Sequence, residues 1–145
     1  RTPRKPFFVG DLPHAWVASD FVRSALDMFA YNRDADEALV LAAGIPTAWF
    51  QGDGIAVQGL RTPQGQLNYR LQRSDKQLVL ELQAGLVPPP GGVVLPWPYS
   101  GDPGEATING EPAEWNNREL RVHQLPARVE IDVPSAVRRA ERKGQ

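Results

Sequence analysis

Residues 65–82 read GQLNYRLQRSDKQLVLEL and carry the clearest structural signal in this chain. Apolar side chains occupy every second position on both sides of the SDK turn at residues 74–76: Leu67, Tyr69 and Leu71 before it, and Leu78, Leu80 and Leu82 after it. A period of two indicates strands with one buried face, and a short polar turn lets two such strands pair as antiparallel neighbours. We therefore predict a β-hairpin.

Short alternating segments separated by turn residues continue on both sides of this hairpin. The chain contains 13 Gly and 14 Pro, and most of them lie after Gly44. Asn109-Gly110 is the strongest two-residue hairpin signal, and Val129, Ile131 and Val133 alternate near the end. This spacing of turns predicts an antiparallel β-sandwich with one buried face per sheet over residues 51–135.

The period changes near Gly44, because residues 12–31, LPHAWVASDFVRSALDMFAY, indicate a long helix. Asp11 is its expected N-cap, and Pro13 is tolerated in the first turn. The helix is apolar on nearly every face, and a helix of that kind belongs inside a larger body. We therefore expect the chain to be the C-terminal fragment of a longer protein.

These patterns divide the chain into three parts: residues 1–50, residues 51–135 and residues 136–145. Within residues 1–50 we expect an extended lead-in over residues 1–10, the long helix, and a polar interruption at residues 32–36. The next run, residues 38–43, is too short for its period to decide between strand and helix, and we interpret it as a strand. Pro46 suits the start of a one- or two-turn helix. Residues 136–145 are basic and predicted to be a frayed tail. The predicted fold class is α+β, mainly β, with an N-terminal long helix packed on an antiparallel β-sandwich.

Composition excludes several classes of function. Sixteen basic and seventeen acidic residues leave a formal net charge of -1, which argues against nucleic acid or a membrane surface as a partner. There is no cysteine, and the two histidines have no metal-ligand spacing. No nucleotide-binding or serine-nucleophile motif occurs. We predict no catalytic residue, no metal and no cofactor in this chain.

The order of these segments resembles the C-terminal region of bacterial six-hairpin glycosidases. The residues that carry the resemblance are LVLAAGIPTAWF at 39–50, GIAVQGLRTPQGQLNYRL at 54–71 and TINGEP at 107–112. Such enzymes, which include α-L-rhamnosidases and disaccharide phosphorylases, have an (α/α)₆ barrel followed by a small β-sandwich. The resemblance implies that residues 12–31 are the last barrel helix and residues 52–134 the sandwich, with the catalytic carboxylates upstream.

The leading hypothesis is a non-catalytic accessory region that braces the upstream barrel of the same polypeptide. The carboxylates of the predicted helix support this. Asp20 and Asp27 would lie about 10 Å apart along its axis, a poor match for the facing pair that a glycosidase needs. The fragment is expected to be inactive alone, with a glycoside hydrolase as its parent. Its compartment is open, and a periplasmic or secreted parent is compatible with the resemblance.

Two alternatives stay open. The first is a carbohydrate-binding module, in which aromatic rings stack on sugars. Its candidate residues are His14 and Trp16 near the start of the helix, Trp97 and Tyr99 in the segment PWPY at 96–99, and Trp115 beside two asparagines. The opposing interpretation places these rings in the core, with PWPY closing one end of the sandwich. The second alternative is a protein-interaction module, whose uncovered helix would make the fragment self-associate.

Overall fold

The computed structural model describes residues 26–144 of the chain. Residues 26–29 are helical and lead directly into the first strand. The predicted helix therefore ends at residue 29 and not at Tyr31, because Ala30 and Tyr31 pair with Leu41 and Val40 across a strand ladder. The remainder of that prediction, residues 12–25, lies outside the described residues.

The described residues form strands, one 3₁₀ turn and one C-terminal helix. The strands are β1 (Ala30–Arg33), β2 (Ala38–Leu41), β3 (Ile55–Thr62), β4 (Gly65–Arg73), β5 (Gln77–Leu82), β6 (Val93–Pro96), β7 (Ala106–Ile108), β8 (Glu111–Ala113), β9 (Glu119–Val122) and β10 (Ala127–Asp132). The 3₁₀ turn is Thr47–Phe50 and the helix, α1, is Ser135–Lys143.

These strands make two sheets that face each other. The small sheet has the order β1-β2-β6-β9, and the large sheet has the order β3-β4-β5-β10-β7-β8. The neighbouring strands are antiparallel except for β2 and β6, which are parallel. The prediction of a mainly β chain with a sandwich-like pair of antiparallel-rich sheets is confirmed.

The core lies between the sheets and is built from the alternating positions seen in the sequence. The predicted hairpin is confirmed, since β4 and β5 pair in register and Tyr69 lies opposite Leu82. All six of its apolar side chains are buried. The turn between β7 and β8 is also confirmed: Asn109 and Gly110 both have positive φ, 52° and 84°, as a tight hairpin turn requires.

The sandwich includes strands that precede the predicted domain limit at residue 50. Residues 38–41 form β2, as expected, and β2 pairs with β6 through Leu39 opposite Val93 and Val40 opposite Val94. This pairing joins β2 to the small sheet, and β1 belongs to the same sheet because it pairs with β2. Within the described residues the sandwich thus begins at Ala30.

The C-terminal segment differs from the frayed tail that the sequence indicated. Residues 135–143 form α1, whose Val137 is buried against the core. Glu141, one turn further on, accepts two hydrogen bonds from Arg73 at the end of β4. A nine-residue helix is marginal in isolation, so these contacts with the sandwich stabilise it.

Candidate functional site

The sequence-predicted aromatic residues fall into two groups. His14 and Trp16 lie outside the described residues. Trp97 and Tyr99 follow β6 and are each only 6% exposed. Stacking on a sugar needs an exposed ring face, so these two rings occupy the positions that the core-packing interpretation assigned to them.

Trp97 is held from several sides at one end of the sandwich. Its Nε1–H donates a hydrogen bond to the carbonyl of Gly101 at 3.1 Å. Its ring meets Tyr99 edge to face at a centroid distance of 5.1 Å, and Trp115 in the same manner at 5.7 Å. Edge-to-face pairs are the favoured geometry of packed aromatic rings. Trp97 is therefore the centre of a fixed aromatic cluster.

Trp115 is the member of this cluster that reaches the surface. It is partly exposed, and its Nε1–H donates to the carbonyl of Gly104 at 2.8 Å. It lines two grooves of about 570 and 770 Å³, and the segment Pro112–Glu114 also lines both. The sequence indicates Trp115 as a candidate aromatic residue beside two asparagines but contains no signal for the grooves, since their walls come from β5, β7, β8, β9 and β10.

A buried charge lies beside the same cluster. Arg73 is 5% exposed, and its guanidinium carbon lies 5.1 Å from the centroid of the Tyr99 ring. Burial is the largest single effect and lowers the pKa of Arg73, but the hydrogen bonds and charge of Glu141, together with the neighbouring Tyr99, raise the pKa above its usual value. Burial raises the pKa of the Tyr99 hydroxyl, so both groups keep their usual charge at neutral pH. The arrangement anchors α1, and the Tyr99 hydroxyl beside it is buried without a hydrogen-bond partner among the described residues.

A second polar cluster crosses the outer face of the small sheet. Arg33 on β1 donates to both carboxylate oxygens of Glu119 on β9, at 2.7 and 2.9 Å. It also donates to both oxygens of Asp36, which in turn accepts from Arg121 at 2.7 Å. We call Arg33, Asp36, Glu119 and Arg121 the four-residue ion network. It joins the two edge strands of the sheet across β2 and β6.

An apolar patch lies on the same outer face as this network. Ala38, Val40 and Val94 point outward from the central strands, yet each is at most 1% exposed, with Tyr31 packed against them. The network balances two positive against two negative charges, and its carboxylates are already hydrogen-bonded. It is suited to stabilising the sheet and offers no spare group for acid–base chemistry.

No constellation for a metal or a membrane span occurs in residues 26–144. No group of three or more histidine, aspartate or glutamate side chains in this part of the chain is placed to hold a metal ion. No helix within the described residues is long and apolar enough to cross a bilayer.

No protein-family model matches the chain, and searches of curated proteins and of solved structures find no significant match.

Proposed function

We propose that this chain is a non-catalytic C-terminal accessory region of a larger carbohydrate-active enzyme, in which the sandwich packs against the helix predicted to precede it. One observation carries the proposal. Apolar side chains are exposed at the place where that helix would enter the sandwich. Leu26 is 44% exposed and Trp49 is 50% exposed.

These two residues belong to segments that meet at Gly44. The side chain of Met28 lies 3.4 Å from the position that a Cβ would occupy at Gly44, and the amide of Ala42 donates to the carbonyl of Phe29. Leu26 and Trp49 flank this contact in sequence. We group Leu26, Met28 and Trp49 as the junction patch because they lie close in sequence to this contact, and we propose that they adjoin one another where the segment from Leu12 onward joins the sandwich.

The physical argument is the cost of leaving the junction patch uncovered. Covering the exposed half of each large side chain contributes on the order of 1 kcal/mol. The predicted helix also has apolar side chains that need to be buried, because they lie on nearly every face of it. Packing the helix on the junction patch would bury apolar surface of both. The sandwich would then brace the helix and any barrel to which that helix belongs.

The rest of the sandwich supports a role without chemistry. The carboxylates of the four-residue ion network are paired, and the buried Arg73 is paired with Glu141. The outer face of the large sheet carries cross-strand charges such as Arg70 opposite Glu81, a pattern typical of a solvated face.

Hydrogen exchange on the 145-residue chain tests the helix contact. We expect amides of residues 12–25 to exchange slowly in the native chain and at least about tenfold faster in Trp49→Lys, because a charge at the junction patch opposes helix docking. Val87→Lys is the control, since Val87 is 75% exposed and lies away from Gly44 in a different loop. Equal exchange in all three proteins would contradict the contact.

Two further measurements test the accessory role. The chain should show no turnover of aryl α-L-rhamnosides or β-D-glucosides, and turnover above that of the heat-denatured chain would contradict a non-catalytic region. The reading frame upstream of Arg1 should encode several hundred residues with helical-hairpin periodicity, on the order of one barrel. A stop codon immediately upstream would contradict the proposal of a larger enzyme.

A further inference from the structure

The larger groove beside Trp115 combines a fixed aromatic ring with polar side chains on rigid strands. Trp115 cannot rotate freely, because its Nε1–H bonds to Gly104 and its ring packs edge to face on the buried Trp97. Preorganisation of this kind lowers the entropy that a binding site loses when a ligand is held. The partly exposed indole is therefore already fixed in orientation for contact with a flat apolar surface of a ligand.

Polar side chains from three strands and two loops line the same groove as this ring. Gln77 on β5, Thr107 on β7 and Asp132 on β10 line the groove from the large sheet, and Glu105 and Glu114 line it from the flanking loops. Among the described residues that line the groove, none is a lysine or an arginine. The walls thus offer mainly hydrogen-bond acceptors, which suit a ligand rich in hydroxyl donors.

The strand residues are held in place by their own contacts. Asp132 accepts a hydrogen bond from the Gln77 side chain at 3.3 Å, and its amide donates to the carbonyl of Glu105 at 2.8 Å. A carboxylate has more acceptor sites than this one bond uses. Rigid acceptors at the rim of an aromatic surface fix the orientation of a ligand that stacks on it.

We propose that the groove lined by Trp115 is a binding site for a neutral oligosaccharide. One sugar ring would stack its C–H face on the indole, because C–H groups carry the partial positive charge that the aromatic face attracts. Its hydroxyls would donate to Asp132, Glu105 and Glu114. The volume of about 770 Å³ lies in the usual range of ligand pockets and admits a short oligosaccharide. The choice of ligand class rests on the proposed function.

The test uses the 145-residue chain and saturation-transfer NMR with cellotetraose, xylotetraose and mannotetraose at millimolar concentration. We expect transfer to at least one of them, and a dissociation constant raised at least about tenfold in Trp115→Ala, the scale of losing one aromatic contact. Trp49→Ala is the matched control, because it removes an exposed indole that does not line the groove. Its affinity should equal that of the native chain.

A second variant guards against a loss of folding in Trp115→Ala. Thr107→Arg places a long side chain in the groove from the outer face of β7 and leaves all three rings of the aromatic cluster in the chain, and it should also abolish saccharide binding. Gln72→Arg, on β4 of the same sheet, is its control and should leave binding intact. Circular dichroism checks the fold of each variant.

Three outcomes would overturn the site. The first is no saturation transfer to any of the three sugars, and the second is transfer that is unchanged in both Trp115→Ala and Thr107→Arg. The third is binding of spermine without binding of any sugar, which would indicate a cation site. Failure here differs from failure of the helix contact. The exchange experiment does not involve Trp115, and saccharide binding with unchanged exchange in Trp49→Lys would reject the contact alone.

Discussion

Asp36 shows how single residues stabilise the small sheet. Hydrogen bonds from Arg33 and then Arg121 hold the pKa of its carboxyl well below its usual range. The turn that carries it is closely packed, since a Cβ at Gly91 would lie 2.1 Å from the carbonyl oxygen of Asp36. The position of this carboxylate is thus decided by backbone contact as well as by charge.

The depressed pKa of Asp36 predicts a dependence of stability on pH. A carboxyl with a lowered folded-state pKa stabilises the fold above its unfolded pKa of about 3.9, and that contribution is lost as the pH falls toward the folded value. The urea midpoint should fall between about pH 6 and about pH 3. In Asp36→Asn the urea midpoint should be lower than in the native chain at about pH 6, and it should decrease less as the pH is lowered to about 3.

Asp34→Asn is the control for this measurement, because Asp34 is exposed in the same turn and forms no ion pair among the described contacts. It should retain the native pH dependence. Identical pH profiles for the two variants would show that the hydrogen bonds to Asp36 contribute nothing to folding.

At the scale of elements, α1 depends on one ion pair and one apolar contact with the sandwich. The Arg73 guanidinium is almost fully buried, whereas Glu141 is partly exposed. Removing the carboxylate would leave a buried charge with backbone carbonyls as its remaining acceptors. A charge in that state is costly.

Glu141→Gln should therefore lower the free energy of unfolding by about 1–3 kcal/mol, the range for a lost charged hydrogen bond. It should also speed hydrogen exchange in residues 135–143. Arg139→Gln, which changes an exposed charge on the same helix, should alter stability by less than about 0.5 kcal/mol. The two substitutions change the net charge of α1 in opposite directions, so similar losses in both would contradict a specific stabilising contact between Glu141 and Arg73.

At the scale of the whole molecule, the two outer faces of the sandwich differ. The outer face of the large sheet exposes charged side chains that pair across strands, such as Arg128 with Glu81. The small sheet instead buries Val40 and Val94 on the outer face that also carries the four-residue ion network. The chain thus has two apolar layers, one between the sheets and one on the outside of the small sheet.

A pair of matched substitutions tests this difference. Val94→Thr should cost about 1–3 kcal/mol of unfolding free energy, because it places a hydroxyl in an apolar layer. Val79→Thr, on the outer face of the large sheet, should change stability by less than about 0.5 kcal/mol, since the hydroxyl can reach water there. Equal effects in chemical denaturation would contradict a buried outer layer on the small sheet.

The sequence by itself determined which local segments form strands and where they turn. Alternation at Leu67, Tyr69 and Leu71 and the turn at Asn109-Gly110 are local signals, because side-chain direction and turn geometry depend on adjacent residues. The helix ending at residue 29 shows the limit of such signals. Tyr31 suits a helix by its neighbours, but in the sheet it pairs with Val40.

Only the tertiary structure decided which segments meet. The parallel pairing of β2 with β6, the bond from Arg33 to Glu119 across 86 residues of sequence, and the docking of α1 by Arg73 all join distant positions. So do the grooves beside Trp115, whose walls come from separate strands. No local period encodes these contacts, since they form only when folding brings the two sheets and their connecting loops together.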